Sequence, residues 1–130
     1  MTQELWIAVY AAVLGIVMVL LPPLFAYSRK GYVQWNAGPR DTPFDMGPYA
    51  DRLKRAFSNF METYVFFAIL MVALTLAHKS SMVSVAGAWI YLAARIVYIP
   101  LYAFGVKGVR SLVWAVSLAG IVACAFVLFT

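Results

Sequence analysis

Leu5–Tyr27, LWIAVYAAVLGIVMVLLPPLFAY, decides the fold. It carries no charge, and a transmembrane helix needs about 20 mostly apolar residues. Three further runs meet the same requirement. Ala56–Ala77 is broken by Asn59 and Glu62, Met82–Phe104 contains Arg95, and Leu112–Phe129 has no charge. The sequence therefore predicts an all-α membrane protein, a four-transmembrane-helix bundle forming one domain over residues 1–130, with a long loop at 28–55. Reading the first run as a secretory signal fits poorly. Glu4 precedes it, no Lys or Arg does, and the run is longer than the apolar core of a signal.

The composition agrees. Hydrophobic residues make up 65% of the chain and charged residues 12%, against roughly 45–50% and about 25% in soluble domains. So few charges do not cover a soluble globule of this size. Cys124 is the only cysteine, which excludes a disulfide scaffold. The net charge of +5 is split among apolar blocks and forms no continuous basic stripe, so nucleic acid is not an expected partner.

The basic residues set the orientation. Residues 28–55 hold Arg29, Lys30, Arg40, Arg52, Lys54 and Arg55; Lys107 and Arg110 flank the last turn, and Lys79 stands alone on the other side. The first and third loops are expected at the cytoplasmic face and both termini opposite, periplasmic if the membrane is a bacterial inner membrane. The first loop mixes turn residues with Tyr32, Trp35, Phe44 and Tyr49. Such aromatics suit the membrane interface and favour a loop that partly covers a site over a disordered one.

Polar residues within spans are candidates for function. Arg55, Asn59 and Glu62 are spaced i, i+4, i+7 and share a helix face; so do Arg95, Tyr98 and Tyr102, and Arg110, Trp114 and Ser117. All three stripes lie toward the cytoplasmic end. Glu62 sits roughly 10 Å and Arg95 roughly 14 Å from that end at about 1.5 Å per residue. Their similar depth and opposite sign predict an ion pair between the second and third spans. Arg55 and Arg110 are either positive-inside anchors or, with Asn59, Tyr98 and Tyr102, the walls of a basic cleft for a small anionic molecule. Ala115, Ala119, Gly120 and Ala123 read as a small-residue stripe for close helix packing. Pro22 and Pro23 are expected to bend or end the first helix, and Pro100 to weaken the third span. Cys124 reads as an inert core residue. His78 has no second ligand at metal spacing, so no metal is expected.

The run Arg55-Ala56-Phe57-Ser58-Asn59-Phe60-Met61-Glu62-Thr63 resembles the R-A-x-x-N-x-x-E signature of the second helix in the MAPEG family, the membrane-associated proteins of eicosanoid and glutathione metabolism. Ala94-Arg95-Ile96-Val97-Tyr98, continued to Tyr102, resembles that family's third-helix pattern, and Arg110-Ser111 the pair that opens its fourth helix. The chain looks most like the bacterial branch that resembles microsomal glutathione transferases. The resemblance implies a homotrimer with glutathione as cosubstrate, held near the cytoplasmic face between neighbouring subunits. It implies a catalytic Arg110 beside the thiol, and a glutathione-binding set of Arg55, Asn59, Glu62, Tyr98, Tyr102 and Ser111. Membrane lipids surround the site, and a hydrophobic electrophile would arrive from the bilayer. Two positions depart from glutathione-using members. Several of these have an arginine where Ser58 stands, and often a tyrosine where Trp114 stands. Three functions remain in view: a glutathione-dependent transferase or peroxidase, an enzyme using another thiol or anion in the same cleft, and a non-catalytic lipid-binding or scaffold protein.

Overall fold

The computed structural model describes all of residues 1–130 and contains five helices: α1 (Gln3–Ala26), α2 (Tyr32–Ala37), α3 (Pro48–Leu76), α4 (Met82–Ala103) and α5 (Val109–Phe129). α1, α3, α4 and α5 are each long and apolar enough to cross a membrane. The molecule is a multi-pass membrane protein built as a four-helix bundle. α1 packs along α3 and α4 along α5, and the two pairs meet about equally where α4 touches α1 and α3 and where α5 touches α3.

α3 starts well before its apolar run. Pro48 occupies the first turn, where its missing N–H costs nothing, and Asp51 faces the positive end of the helix dipole. Hydropathy registers neither feature, so the second span reads shorter than its helix. α1 runs through Pro22 and Pro23 to Ala26 and does not end at them. Both prolines lie in its last turns, where few backbone bonds remain to be lost, and Tyr27 N donates to Pro23 O at 2.8 Å. Likewise, α4 continues past Pro100 to Ala103.

Two helix ends close the same way. At the end of α4, Gly105 (φ 68°) donates to Tyr102 O and Val106 to Leu101 O. At the end of α3, His78 (φ 54°) donates to Thr75 O and Lys79 to Leu74 O. Both are Schellman caps, whose left-handed residue is usually glycine because a Cβ crowds the following carbonyl. His78→Gly is therefore expected to raise stability by about 0.5–1 kcal/mol, measured by unfolding in mixed micelles. Gly105→His should do the reverse, and would also press on the Arg52 guanidinium, which lies 3.3 Å from where that Cβ would sit.

The termini and the α3–α4 turn share one end of the bundle. Thr2 and Thr75 hydroxyls bond at 2.7 Å, and Lys79 Nζ donates to Leu128 O at 2.9 Å. The basic first loop and the α4–α5 turn occupy the opposite end. The first loop is folded. Ala26, Tyr32, Met46 and Ala50 form a small buried cluster with Trp35 and Phe44 against it. Trp35 Nε1 donates to Thr42 O at 2.6 Å, and the Trp35 and Phe44 rings stack at 5.4 Å.

α4 and α5 approach most closely at Gly87 and Gly120. A Cβ built on Gly120 would lie 2.5 Å from Gly87 O, and one on Gly87 would lie 2.7 Å from Gly120 O. The buried seam of α5 is Ser117, Gly120, Ile121 and Cys124, with Ala123 at its margin. Ala115 and Ala119 are exposed on the other side of the helix. The expected small-residue stripe is thus corrected: at about 100° per residue these two alanines point some 160° away from Ser117.

Candidate functional site

The N-terminal turns of α3, the last turns of α4 and the first turn of α5 meet at the end carrying the basic loops. Arg52 Nη1 donates to Ala103 O at 3.2 Å, tying the start of α3 to the end of α4. Tyr98 and Tyr102, one turn apart on α4, meet edge to face at 5.6 Å. Tyr102 then gathers two cations. The Arg110 guanidinium of α5 lies over its ring at 4.5 Å, and that of Arg55 of α3 at 6.0 Å. Cation–π attraction offsets part of the repulsion between two like charges held over one ring. Neither arginine meets a carboxylate, since the one ion pair in the chain is Arg29 with Asp45 at 3.5 Å.

Deeper in the bundle, Arg95 is fully buried. Its Nη2 donates to Asn59 Oδ1 at 2.9 Å, while Nε and Nη1 have no partner. The guanidinium lies 4.5 Å from the Tyr98 ring centre and 5.7 Å from that of Phe60. The expected Glu62–Arg95 pair does not form. α3 turns Ala56, Phe60, Thr63 and Phe67 inward, so Asn59 borders the interior next to Arg95. Glu62 is a further 60° or so round the helix and is exposed. The difference lies in the rotation of α3 about its own axis.

The predicted residues therefore divide. Arg55, Asn59, Tyr98, Tyr102 and Arg110 form one continuous cluster with Arg95. Glu62 is left on the outer face of α3 with no ion pair, and Ser111 is exposed on α5. Trp114 is partly exposed, and Ser117 is buried with its hydroxyl donating to Trp114 O at 2.7 Å. The folded first loop covers a different place, a cavity between α1 and α3 that no residue of this cluster lines.

One polar constellation escaped the sequence reading. Glu4 is fully buried at the far end of the bundle. Ser80 Oγ donates to its two oxygens at 2.7 and 2.9 Å, and Ser84 Oγ donates to Oε1 as well. Ser81 and Ser84 also form a capping box at the start of α4. Glu4 thus joins the beginnings of α1 and α4, an anchor rather than a reacting group. Its trace in the sequence is the Ser80-Ser81 pair with Ser84 before an apolar run, beside a lone acid before another.

Chemically, the cluster offers three guanidiniums without carboxylate partners, Arg55 and Arg110 at its open end and Arg95 buried beneath, with an unpaired carboxylate on the adjacent face and tyrosines as hydrogen-bond donors. It suits an anion with several polar groups. The family model described as the MAPEG family matches residues 7–130, which takes in every residue of the cluster. No curated protein and no solved structure matches the chain. With four spans in a single bundle and a match over nearly its whole length, the chain belongs to the MAPEG family, whose members include glutathione transferases and related membrane proteins.

Proposed function

We propose that this protein is a glutathione-dependent transferase or peroxidase acting on lipophilic electrophiles at the membrane. The observation carrying the reading is the pair of guanidiniums, Arg55 and Arg110, over the Tyr102 ring with no carboxylate between them. Glutathione has two carboxylates, one amine and a thiol. Arg55 complements one of the carboxylates, the free carboxylate of Glu62 the amine, and Arg110 the thiolate.

In this reading Arg55 binds a carboxylate of the tripeptide, with Asn59, Tyr98, Tyr102 and Ser111 holding its amides and remaining oxygens. Glu62 takes the amine. Arg110 lies beside the sulfur, where an adjacent positive charge lowers a thiol's pKa and favours the thiolate. The thiol proton leaves to water, and the sulfur's electron pair then forms a C–S bond at an electrophilic carbon while the leaving group departs with its own pair. With a hydroperoxide, the sulfur attacks the terminal oxygen, the O–O bond breaks and the alcohol leaves, and a second glutathione thiol then displaces water from the sulfenic acid to give the disulfide. The exposed positions of Glu62 and Ser111 fit a site completed by a neighbouring subunit in a homotrimer. The excess of Lys and Arg in the basic loops supports a site at the cytoplasmic face, which in a bacterial inner membrane would leave both termini periplasmic.

Arg110→Ala is the functional test. Turnover of a hydrophobic electrophile should fall about 100-fold, the usual loss on removing one charge-stabilising group, while glutathione binding persists. Unchanged turnover removes Arg110 from its role.

A second reading, a non-catalytic lipid-binding or scaffold protein, has its own support. Ser58 stands where several glutathione-using members carry an arginine. A wholly apolar cavity of about 360 Å³, lined by Leu21, Phe25, Leu53, Ile99, Pro100 and Phe104 among others, lies at the same end of the bundle. That reading expects saturable lipid binding and no thiol conjugate from the purified protein; formation of a conjugate rejects it.

A further inference from the structure

The cavity under the first loop is separate from the arginine–tyrosine cluster. It measures about 350 Å³ and divides by height. Val19, Pro22 and Pro23 of α1 and Phe57 of α3 make an apolar wall on the membrane side, while Arg40 and Lys54 bring two positive charges to the loop side. No carboxylate lines it. Lys54 is exposed on α3 and has no ion pair.

Arg40 is held there at some cost. Its backbone is left-handed at φ 59°, a region a side chain seldom adopts. Nε donates to Asn36 O at 3.1 Å and the guanidinium lies 5.7 Å from the Trp35 ring centre. Trp35 is itself fixed by Thr42 and Phe44. The loop's ordered structure thus serves to hold one cation over a cavity that already contains another.

The geometry points to a site for an anionic phospholipid of the surrounding bilayer, its phosphate between Arg40 and Lys54 and the start of its chains against Val19, Pro22, Pro23 and Phe57. The volume fits a headgroup and its glycerol, with the tails left in the bilayer. An apolar wall continuous with a spanning helix favours a lipid over a free anion, which would leave that wall unused. Basic side chains at the membrane surface each favour an anionic lipid about fivefold, so the pair should give about 30-fold.

The test is native mass spectrometry on the full chain in neutral detergent, titrated with dioleoyl phosphatidylglycerol, dioleoyl phosphatidylcholine or glycerol phosphate. The expected result is retention of phosphatidylglycerol by wild type, about 30-fold weaker retention by Arg40→Gln/Lys54→Gln, and no comparable binding of the other two. The double variant should titrate glutathione as wild type does, since neither residue belongs to the thiol cleft. If the double variant does not fold, Lys54→Gln alone should weaken retention about fivefold. Retention unchanged by the substitutions, or equal retention of phosphatidylcholine, overturns the site. Glycerol phosphate bound as tightly as the lipid overturns the lipid as its source.

Discussion

Gly120→Val is expected to destabilise the bundle by about 3 kcal/mol or more, at the top of the range for overpacking. In a bilayer, apolar burial gives helices little drive to associate, and close van der Waals contact carries more of the load. The α4–α5 contact depends on two glycines facing each other, with the Gly120 Cβ position 2.5 Å from Gly87 O and 3.0 Å from Tyr91 N. Both neighbours are backbone and cannot rotate aside. The helices must part, and the start of α5 moves with them. Because Arg110 sits there and reaches Tyr102 on α4, the variant should also lose turnover although it lies far along α5. Ala119→Val, on the exposed side of the same helix, is the control and should change stability by less than about 0.5 kcal/mol. Denaturation of both in mixed micelles checks the difference.

Asn59→Leu should cost about 3 kcal/mol. Arg95 is fully buried with one hydrogen bond, and Asn59 supplies it. Removing that acceptor leaves a guanidinium with only the Tyr98 and Phe60 rings for compensation. Breaking a buried charge's partner commonly costs about 3–5 kcal/mol, and the aromatic faces keep this case at the lower end. Arg95→Leu in the same background should recover much of the loss, because the uncompensated charge, not the missing amide, is what destabilises. Glu62→Gln should leave stability nearly unchanged, as Glu62 forms no ion pair within the chain. A loss of stability for Glu62→Gln equal to that for Asn59→Leu would restore the ion pair that depth alone suggested.

These two residues show where sequence reading reached its limit. Hydropathy located four spans, because a lipid environment demands an unbroken apolar run and Leu5–Tyr27 or Leu112–Phe129 supplies one. Helical spacing grouped Arg55 with Asn59 and Arg95 with Tyr98, since periodicity within one helix is fixed by its backbone. Rotation of one helix against the next is set by packing at both surfaces, and no single-helix pattern contains it. Hence Asn59, not Glu62, meets Arg95, and Ala115 and Ala119 face away from the seam that Gly120 makes with Gly87. The aromatics of the first loop did predict an ordered loop, but the polar opening turns of α3 and the short α2 were illegible for a different reason. The start of α3 is stabilised by Pro48 in its first turn and by Asp51 at the positive end of the helix dipole, and α2 by Tyr32, Trp35 and Phe44 packing near Met46, none of which makes a continuous apolar run. Glu4 was missed because its partners Ser80 and Ser84 lie some eighty residues away in the chain.

The cleft of Arg55, Tyr102 and Arg110 is the centre of the functional account, and it makes a direct demand on Arg55. Calorimetric titration of glutathione into detergent-purified protein, wild type beside Arg55→Ala, examines it without assuming any electrophile. The account predicts saturable binding to wild type, weakened about tenfold or more in the variant, as expected on losing a charge-assisted contact to a carboxylate. Absence of binding to folded wild type, or equal affinity in the two proteins, would contradict it.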